Sequence, residues 1–175
     1  MTQDNALAIM KMGKSIYLTG GAGSGKTYVL NAFIKYLYEH DIDVAITAST
    51  GIAATHIGGM TIHAWSGIGI RDNVTDWDIE LMEEKKYLWD RYDKVKVLII
   101  DEISMLSGTF LDTLDRICRA FKRKPGIPFG GIQVILCGDL FQLPPVTKKG
   151  EAVSMVIDSK VWKTMNPIIC YLSEQ

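Results

Sequence analysis

Eight residues narrow the folds open to this chain more than any others. Gly20-Gly21-Ala22-Gly23-Ser24-Gly25-Lys26-Thr27 lies between an apolar run, Ile16-Tyr17-Leu18, and a helical stripe of Val29, Leu30, Phe33, Ile34 and Leu37. Two glycines five apart, followed by Lys-Thr and placed between a strand and a helix, form a loop that wraps phosphate. Small residues let the backbone approach the anion, and N–H groups at the helix N-terminus stabilise it. Such a unit belongs in a parallel sheet covered by helices, and the rest of the chain agrees. Further apolar runs stand at Val44-Ala45-Ile46, Val97-Leu98-Ile99-Ile100, Ile132-Gln133-Val134-Ile135-Leu136 and Ile168-Ile169. Most are continuous rather than alternating, the pattern of strands covered on both faces. Phe110, Leu111, Leu114, Ile117, Cys118 and Phe121 make a second helical stripe. Thr75-Asp76-Trp77-Asp78 opens a third, charged helix with Trp77, Leu81 and Leu88 as its thin apolar face. The expectation is an α/β fold of three layers, a mainly parallel central sheet between helices.

The 175 residues predict one domain over 1–175, and no repeat or linker divides them. No apolar run reaches the roughly 18 residues of a membrane-spanning helix, and the first residues do not read as a signal peptide. Cys118, Cys137 and Cys170 are too few and too scattered for a disulfide framework or a zinc site; buried, reduced thiols in an intracellular protein are expected. A net charge of −1 excludes nucleic-acid binding through bulk positive charge, but not through a local site.

In parallel sheets ligands sit beyond the C-terminal ends of the strands, so the chemistry is expected there. Gly20 through Tyr28 is the nucleotide-binding segment, with Lys26 on the β- and γ-phosphates and the Thr27 hydroxyl on Mg²⁺. Asp101 and Glu102 end the third apolar run. Asp101 is placed to hold Mg²⁺, and Glu102 to polarise an attacking water as a general base. That pair favours ATP hydrolysis over phosphate transfer to another acceptor. Gln142, beyond the next run, is either a sensor of the γ-phosphate or a residue bonded to its own loop.

The motifs resemble those of the petite-integration-frequency (Pif) DNA helicases, in the 5′-to-3′ branch of helicase superfamily one. The resemblance runs through Gly20–Thr27, Thr47–Ala54, Gly58–His63, Ile100–Met105, Pro128–Gln133 and Gly138–Val146, and Asp112, Leu114, Asp115 and Arg119 match the family's signature helix. It implies a RecA-like fold and an N-terminal motor domain that couples ATP hydrolysis to translocation and unwinding. It implies that Gln3 reads the adenine edge. It further implies that Thr50 and Gly51, with Thr61 and His63, contact single-stranded DNA, including strands at forks. A helix N-terminus holds a phosphate without net protein charge. A lone histidine among apolar neighbours is more often packed, and Trp65, beside Ile62 and Ile68, reads as packed rather than stacked on a base. Ala64 stands where the family usually has serine, and Leu140 where it has an aromatic. Residues 67–93 correspond to a short form of the family's strand-separating wedge. The acids there (Asp72, Asp76, Asp78, Glu80, Glu83, Glu84) argue against strong DNA contact.

In the family a second RecA-like domain supplies arginines that stabilise charge on the transferring phosphoryl group. No such domain is evident here, and Arg116, Arg119 and Arg123 are not evident substitutes. The expectation is the N-terminal half of a motor, as a fragment or a naturally short homologue. It would be monomeric, bind ATP and Mg²⁺, and hydrolyse slowly without unwinding. The compartment would be cytoplasmic in a prokaryote or virus, and nuclear or mitochondrial in a eukaryote. Two alternatives stay open: a P-loop ATPase that acts on a protein partner or DNA without unwinding, and a nucleotide-binding module inactive alone.

Overall fold

The computed structural model describes residues 1–71 and 73–173; Asp72, one of the acids counted above, lies outside them. Strands β1 (Ile16–Gly20), β2 (Val44–Ala48), β3 (Met60–Thr61), β4 (Val97–Asp101), β5 (Gln133–Cys137) and β6 (Ile168–Leu172) form one sheet in the order β3-β2-β4-β5-β1-β6. Every pairing is parallel. The five expected strands are all present, and the very short β3 is an addition that no apolar run announced.

The continuous apolar runs have the predicted cause. Within β4, Val97 and Ile99 enter one core while Leu98 and Ile100 enter the other. β5 divides likewise, with Ile135 and Cys137 on one side and Val134 and Leu136 on the other. Helices α1 (Gln3–Lys11) and α2 (Lys26–Glu39) cover the first face. The second face carries α4 (Ile62–Ser66), α5 (Asp76–Glu83), α6 (Lys86–Lys94), α7 (Gly108–Lys122) and α8 (Lys160–Met165). The short α3 (Gly51–His56) packs beside β2 and β3. β6 departs from two-sided burial. As an edge strand it buries Cys170 and Leu172 but leaves Ile169 and Tyr171 exposed.

The charged segment also differs from expectation. Thr75 does cap a helix, through a reciprocal box with Asp78, and the two bonds from Thr75 hold the Asp78 carboxyl below its usual range. However, the helix ends at Glu83, and α6 begins at Lys86. Within α5, Trp77 and Leu81 are exposed (66% and 41%), and Ile79 and Met82 are buried instead. Leu88 belongs to α6, where it is buried with Tyr92, whose ring stacks on Phe121 at 4.3 Å. Ile79, Met82, Leu88 and Tyr92 thus anchor α5 and α6 on the core, and most of the other side chains there face outward.

The signature helix is a hub of the fold. The Asp112 carboxylate accepts the backbone N–H groups of Lys160 (3.1 Å) and Val161 (2.9 Å) at the start of α8. Buried Asp115 accepts from Phe129 N–H at 2.7 Å and from the Arg119 guanidinium at 2.9 Å. Phe129 and Gly130 both have left-handed backbones, and a Cβ on Gly130 would strike Lys122 and the Cys118 carbonyl. Asp115→Ala leaves the buried Phe129 N–H without an acceptor and strips the Arg119 guanidinium of its carboxylate, with only the Pro125 carbonyl remaining to it. Its expected cost is about 3 kcal/mol, a fall in Tm of roughly 10 °C for a domain this size. Asp112→Ala removes a partly buried cap and should cost about 1 kcal/mol. Thermal unfolding of the two variants beside wild type checks the ranking.

Candidate active site

β1 ends in the phosphate loop, and the loop's shape depends on its glycines. A Cβ on Gly20 would sit 2.6 Å from Ser24 Oγ and 2.7 Å from the Leu172 carbonyl. Gly23 and Gly25 have φ of 77° and 91°, values that disfavour other residues. The first turn of α2 has no side-chain cap, so its N–H groups remain available to an anion. Lys26 Nζ donates to the carbonyls of Gly20 (2.7 Å) and Gly21 (2.9 Å), which brings the ammonium to the loop itself. Thr27 and Tyr28 stand exposed on the same turn, and the buried Ser24 hydroxyl makes no hydrogen bond. Gln3 opens α1, which Thr2 caps, and its amide donates to the Ser24 carbonyl at 3.2 Å.

β4 ends in the carboxylate pair. Glu102 N–H donates to Asp101 Oδ1 at 2.9 Å. Glu102 has a left-handed backbone (φ 53°, ψ 46°), which is unusual for a residue with a Cβ. Burial first, and the Asp101 charge second, push the Glu102 carboxyl above its ordinary range, while Lys26 opposes them. A carboxyl with raised basicity suits a proton acceptor. Burial first, and the Asp101 charge second, push the Cys137 thiol well up. All three cysteines are buried and unpaired.

The β5 end lies against this pair. Gly138 packs so closely that a Cβ there would be 3.0 Å from Ile103 N. The Tyr17 hydroxyl donates to the Gly138 carbonyl at 3.1 Å, which ties the loop to β1. Asp139 shapes the next turn by accepting Phe141 N–H on its carboxylate and Gln142 N–H on its carbonyl. Gln142 is thus joined to its own loop through the backbone, with its side chain exposed. The sequence reading missed two local supports, Tyr17 and Ser49. Tyr17 looks like an ordinary strand residue, and Ser49 lies within the Thr47–Ala54 block with nothing local to mark its partner.

On the β2 and β3 side of the same edge, Thr50 caps α3 and Thr61 caps α4, each hydroxyl accepting a backbone N–H at 3.2 Å. Gly51 is open, with nothing within 4 Å of a Cβ there. His63 is half-buried, its ring 4.6 Å from that of Phe110, and Trp65 is buried against Tyr92 as its apolar neighbours predicted. Burial lowers the His63 pKa from the ordinary 6.5. The unfolded chain therefore binds that proton more readily. This contribution to stability is whole above about pH 6.5 and declines as pH falls below it. His63→Phe should remove that decline, read as Tm compared at acid and neutral pH. His63 also borders a cleft of about 860 Å³, bounded by Arg71, Phe110, Thr113 and Lys148 and separate from the phosphate loop.

The donor set suits magnesium. Thr27 and Asp101 offer hard oxygens, and Mg²⁺ is commonly held by one or two protein oxygens plus substrate phosphates. Among the described residues no group of three His, Cys, Asp or Glu side chains forms a dedicated metal cage.

Known proteins match the chain in sequence and in fold. The family model described as PIF1-like helicase matches residues 3–174. The chain is 51% identical over its whole length to an ATP-dependent DNA helicase Pif1 of Psychrobacter, and it covers 27% of that protein. It superposes on the Pif1 helicase of Candida albicans with a TM-score of 0.92 at 39% identity, covering 98% of this chain and 39% of that one. A Bacteroides Pif1 solved with ADP-AlF3 and single-stranded DNA matches 98% of this chain and 41% of its own, with a TM-score of 0.83 and 37% identity. The chain thus spans about a quarter of the length of the first of these relatives.

Proposed function

This chain belongs to the PIF1-like helicase family, and from that premise we propose that it is the ATP-hydrolysing N-terminal motor domain of a 5′-to-3′ DNA helicase. The observation that carries the proposal is the shared strand-end edge. The phosphate loop, the Asp101-Glu102 pair and the Gln142 loop meet at β1, β4 and β5, and Thr50 and Thr61 cap helices at the neighbouring β2 and β3.

In the proposed mechanism the loop N–H groups from Gly23 to Thr27 and the Lys26 ammonium bind the phosphates of ATP. Gln3, already on the Ser24 carbonyl, lies beside this loop to read the adenine. Thr27 and Asp101 would hold Mg²⁺, which when bound neutralises phosphate charge. Glu102 takes a proton from water as the water oxygen bonds to the γ-phosphorus, and the bond from that phosphorus to the bridging oxygen breaks to release ADP. The Gln142 side chain stands on the loop that faces this reaction and serves as the γ-phosphate sensor.

An arginine worth 10³–10⁵ in rate normally completes such a site. Four of the five arginines are occupied elsewhere. Arg91 holds the Ala64 and Trp65 carbonyls, Arg116 holds Asp76, Arg119 holds Asp115, and Arg123 lies over Trp89. Arg71 borders the separate cleft. We assign the missing charge to a second RecA-like domain, and the domain alone to slow hydrolysis as a monomer.

Single-stranded DNA is proposed to lie across the start of α3 and of α4, on Thr50, Gly51, Thr61 and His63. Residues 67–93 would serve as the reduced wedge at a fork. The protein acts inside the cell, in whichever compartment holds its DNA. ATP turnover with and without single-stranded DNA, with a second motor domain joined, tests the proposal. Stimulation by DNA is expected. An unchanged rate would favour a P-loop ATPase that acts on a protein partner.

A further inference from the structure

Ser49 stands between the two halves of the proposed site. It directly precedes Thr50, whose side chain caps α3. Its backbone N–H donates to the Asp101 carbonyl at 3.1 Å, one residue beyond the β2–β4 pairing of Ala48 with Asp101. Its hydroxyl donates to the Glu102 carbonyl at 2.8 Å. Two consecutive carbonyls of the carboxylate pair are therefore held by one residue of the strand-gripping block.

The acceptor is not an ordinary backbone. Glu102 has φ of 53°, a left-handed conformation that disfavours a residue with a Cβ. Such a conformation persists only where its surroundings over-determine it, and it often marks a site whose side chain must be aimed. The Ser49 hydroxyl is one restraint on that backbone, and the bond from Glu102 N–H to the Asp101 carboxylate is another. A small shift of Ser49 would reach the peptide that directs the Glu102 side chain.

We propose that Ser49 is a positioning residue that couples occupancy of the Thr50-Gly51 strand site to the aim of the Glu102 carboxylate. The inference rests on the functional reading above. A DNA phosphate drawn to the start of α3 moves or steadies the residue next to Ser49, and the two Ser49 bonds carry that change to Glu102. The coupling is reciprocal, so a nucleotide that resembles the hydrolysis transition state should alter DNA affinity through the same bonds.

The test uses the full chain with Mg²⁺, ADP and aluminium fluoride as the nucleotide probe and fluorescent oligo-dT as the strand. The ratio of oligo-dT Kd without and with the nucleotide is measured for wild type, Ser49→Ala and Ser49→Thr, alongside their Tm. Wild type should show a ratio well away from one. Ser49→Ala should lower that coupling by about fivefold, the scale of one neutral hydrogen bond, with affinity for ADP itself unchanged. Ser49→Thr keeps a hydroxyl and should retain the coupling. If Ser49→Ala does not fold, Ser49→Cys, with its weak S–H donor, should show the same loss.

A full ratio in Ser49→Ala or Ser49→Cys overturns the inference. So does a wild-type ratio of one, or a variant that loses oligo-dT affinity equally with and without nucleotide, since that describes a purely structural serine. Wild type that binds neither nucleotide nor oligo-dT overturns the functional reading itself, and the inference with it.

Discussion

Glu102→Gln is expected to lower ATP turnover by about 10²–10⁴-fold, the range that a positioned general base contributes, while ATP binding stays within about twofold of wild type. The substitution keeps the side chain's length and shape but removes the group that can accept a proton from water. The Asp101 charge raises the proton affinity of Glu102. Neutralising Glu102 relieves that repulsion, so the variant has no electrostatic reason to bind nucleotide more weakly. The left-handed backbone is held by bonds to main-chain atoms of residue 102, which the substitution leaves in place. Single-turnover hydrolysis beside a titration with fluorescent ATP separates chemistry from binding. Equal single-turnover rates in Glu102→Gln and wild type would assign the base elsewhere.

Lys26→Ala is expected to weaken nucleotide binding by about 10–100-fold, since a hydrogen bond to a charged group contributes about 1.5–3 kcal/mol. The ammonium is already at the Gly20 and Gly21 carbonyls, so the charge lies within the loop before any phosphate arrives. Lys26→Arg should not restore affinity, because a planar guanidinium does not replace a compact ammonium between those two carbonyls. The checking measurement is the rise in Tm caused by Mg–ADP, which follows mass action. Wild type should show a clear rise. Both variants should show little at the same concentration, each measured from its own Tm without ligand.

Much of this was legible because the constraints are local. The Gly20–Thr27 spacing and its flanking strand and helix locate the phosphate loop, and runs such as Val97–Ile100 are continuous because the sheet is covered on both faces. Asp101 and Glu102 were readable from their place at the end of such a run. What could not be read depended on contacts distant in sequence or on a change of phase. Trp77, Leu81 and Leu88 looked like one buried stripe, but α5 buries Ile79 and Met82 instead, and Leu88 belongs to the separate α6. β3 is too short to leave a periodic signal. Ser49 and Tyr17 bond to carbonyls 53 and 121 residues away, and nothing in their local sequence announces the partner. The structural work of Asp112 and Asp115 was hidden for the same reason: it ties α7 to α8 and to the Phe129 turn.

On the proposed function, one edge of this sheet holds both ATP and a DNA strand. A crystal structure of the chain with Mg²⁺, ADP, aluminium fluoride and a short oligo-dT tests it most directly. The nucleotide phosphates are expected on the N–H groups of residues 23–27 and on Lys26, with a DNA phosphate at the Thr50 hydroxyl and Gly51 N–H. Nucleotide in the cleft beside His63 and Lys148, or a strand bound away from the starts of α3 and α4, would contradict it.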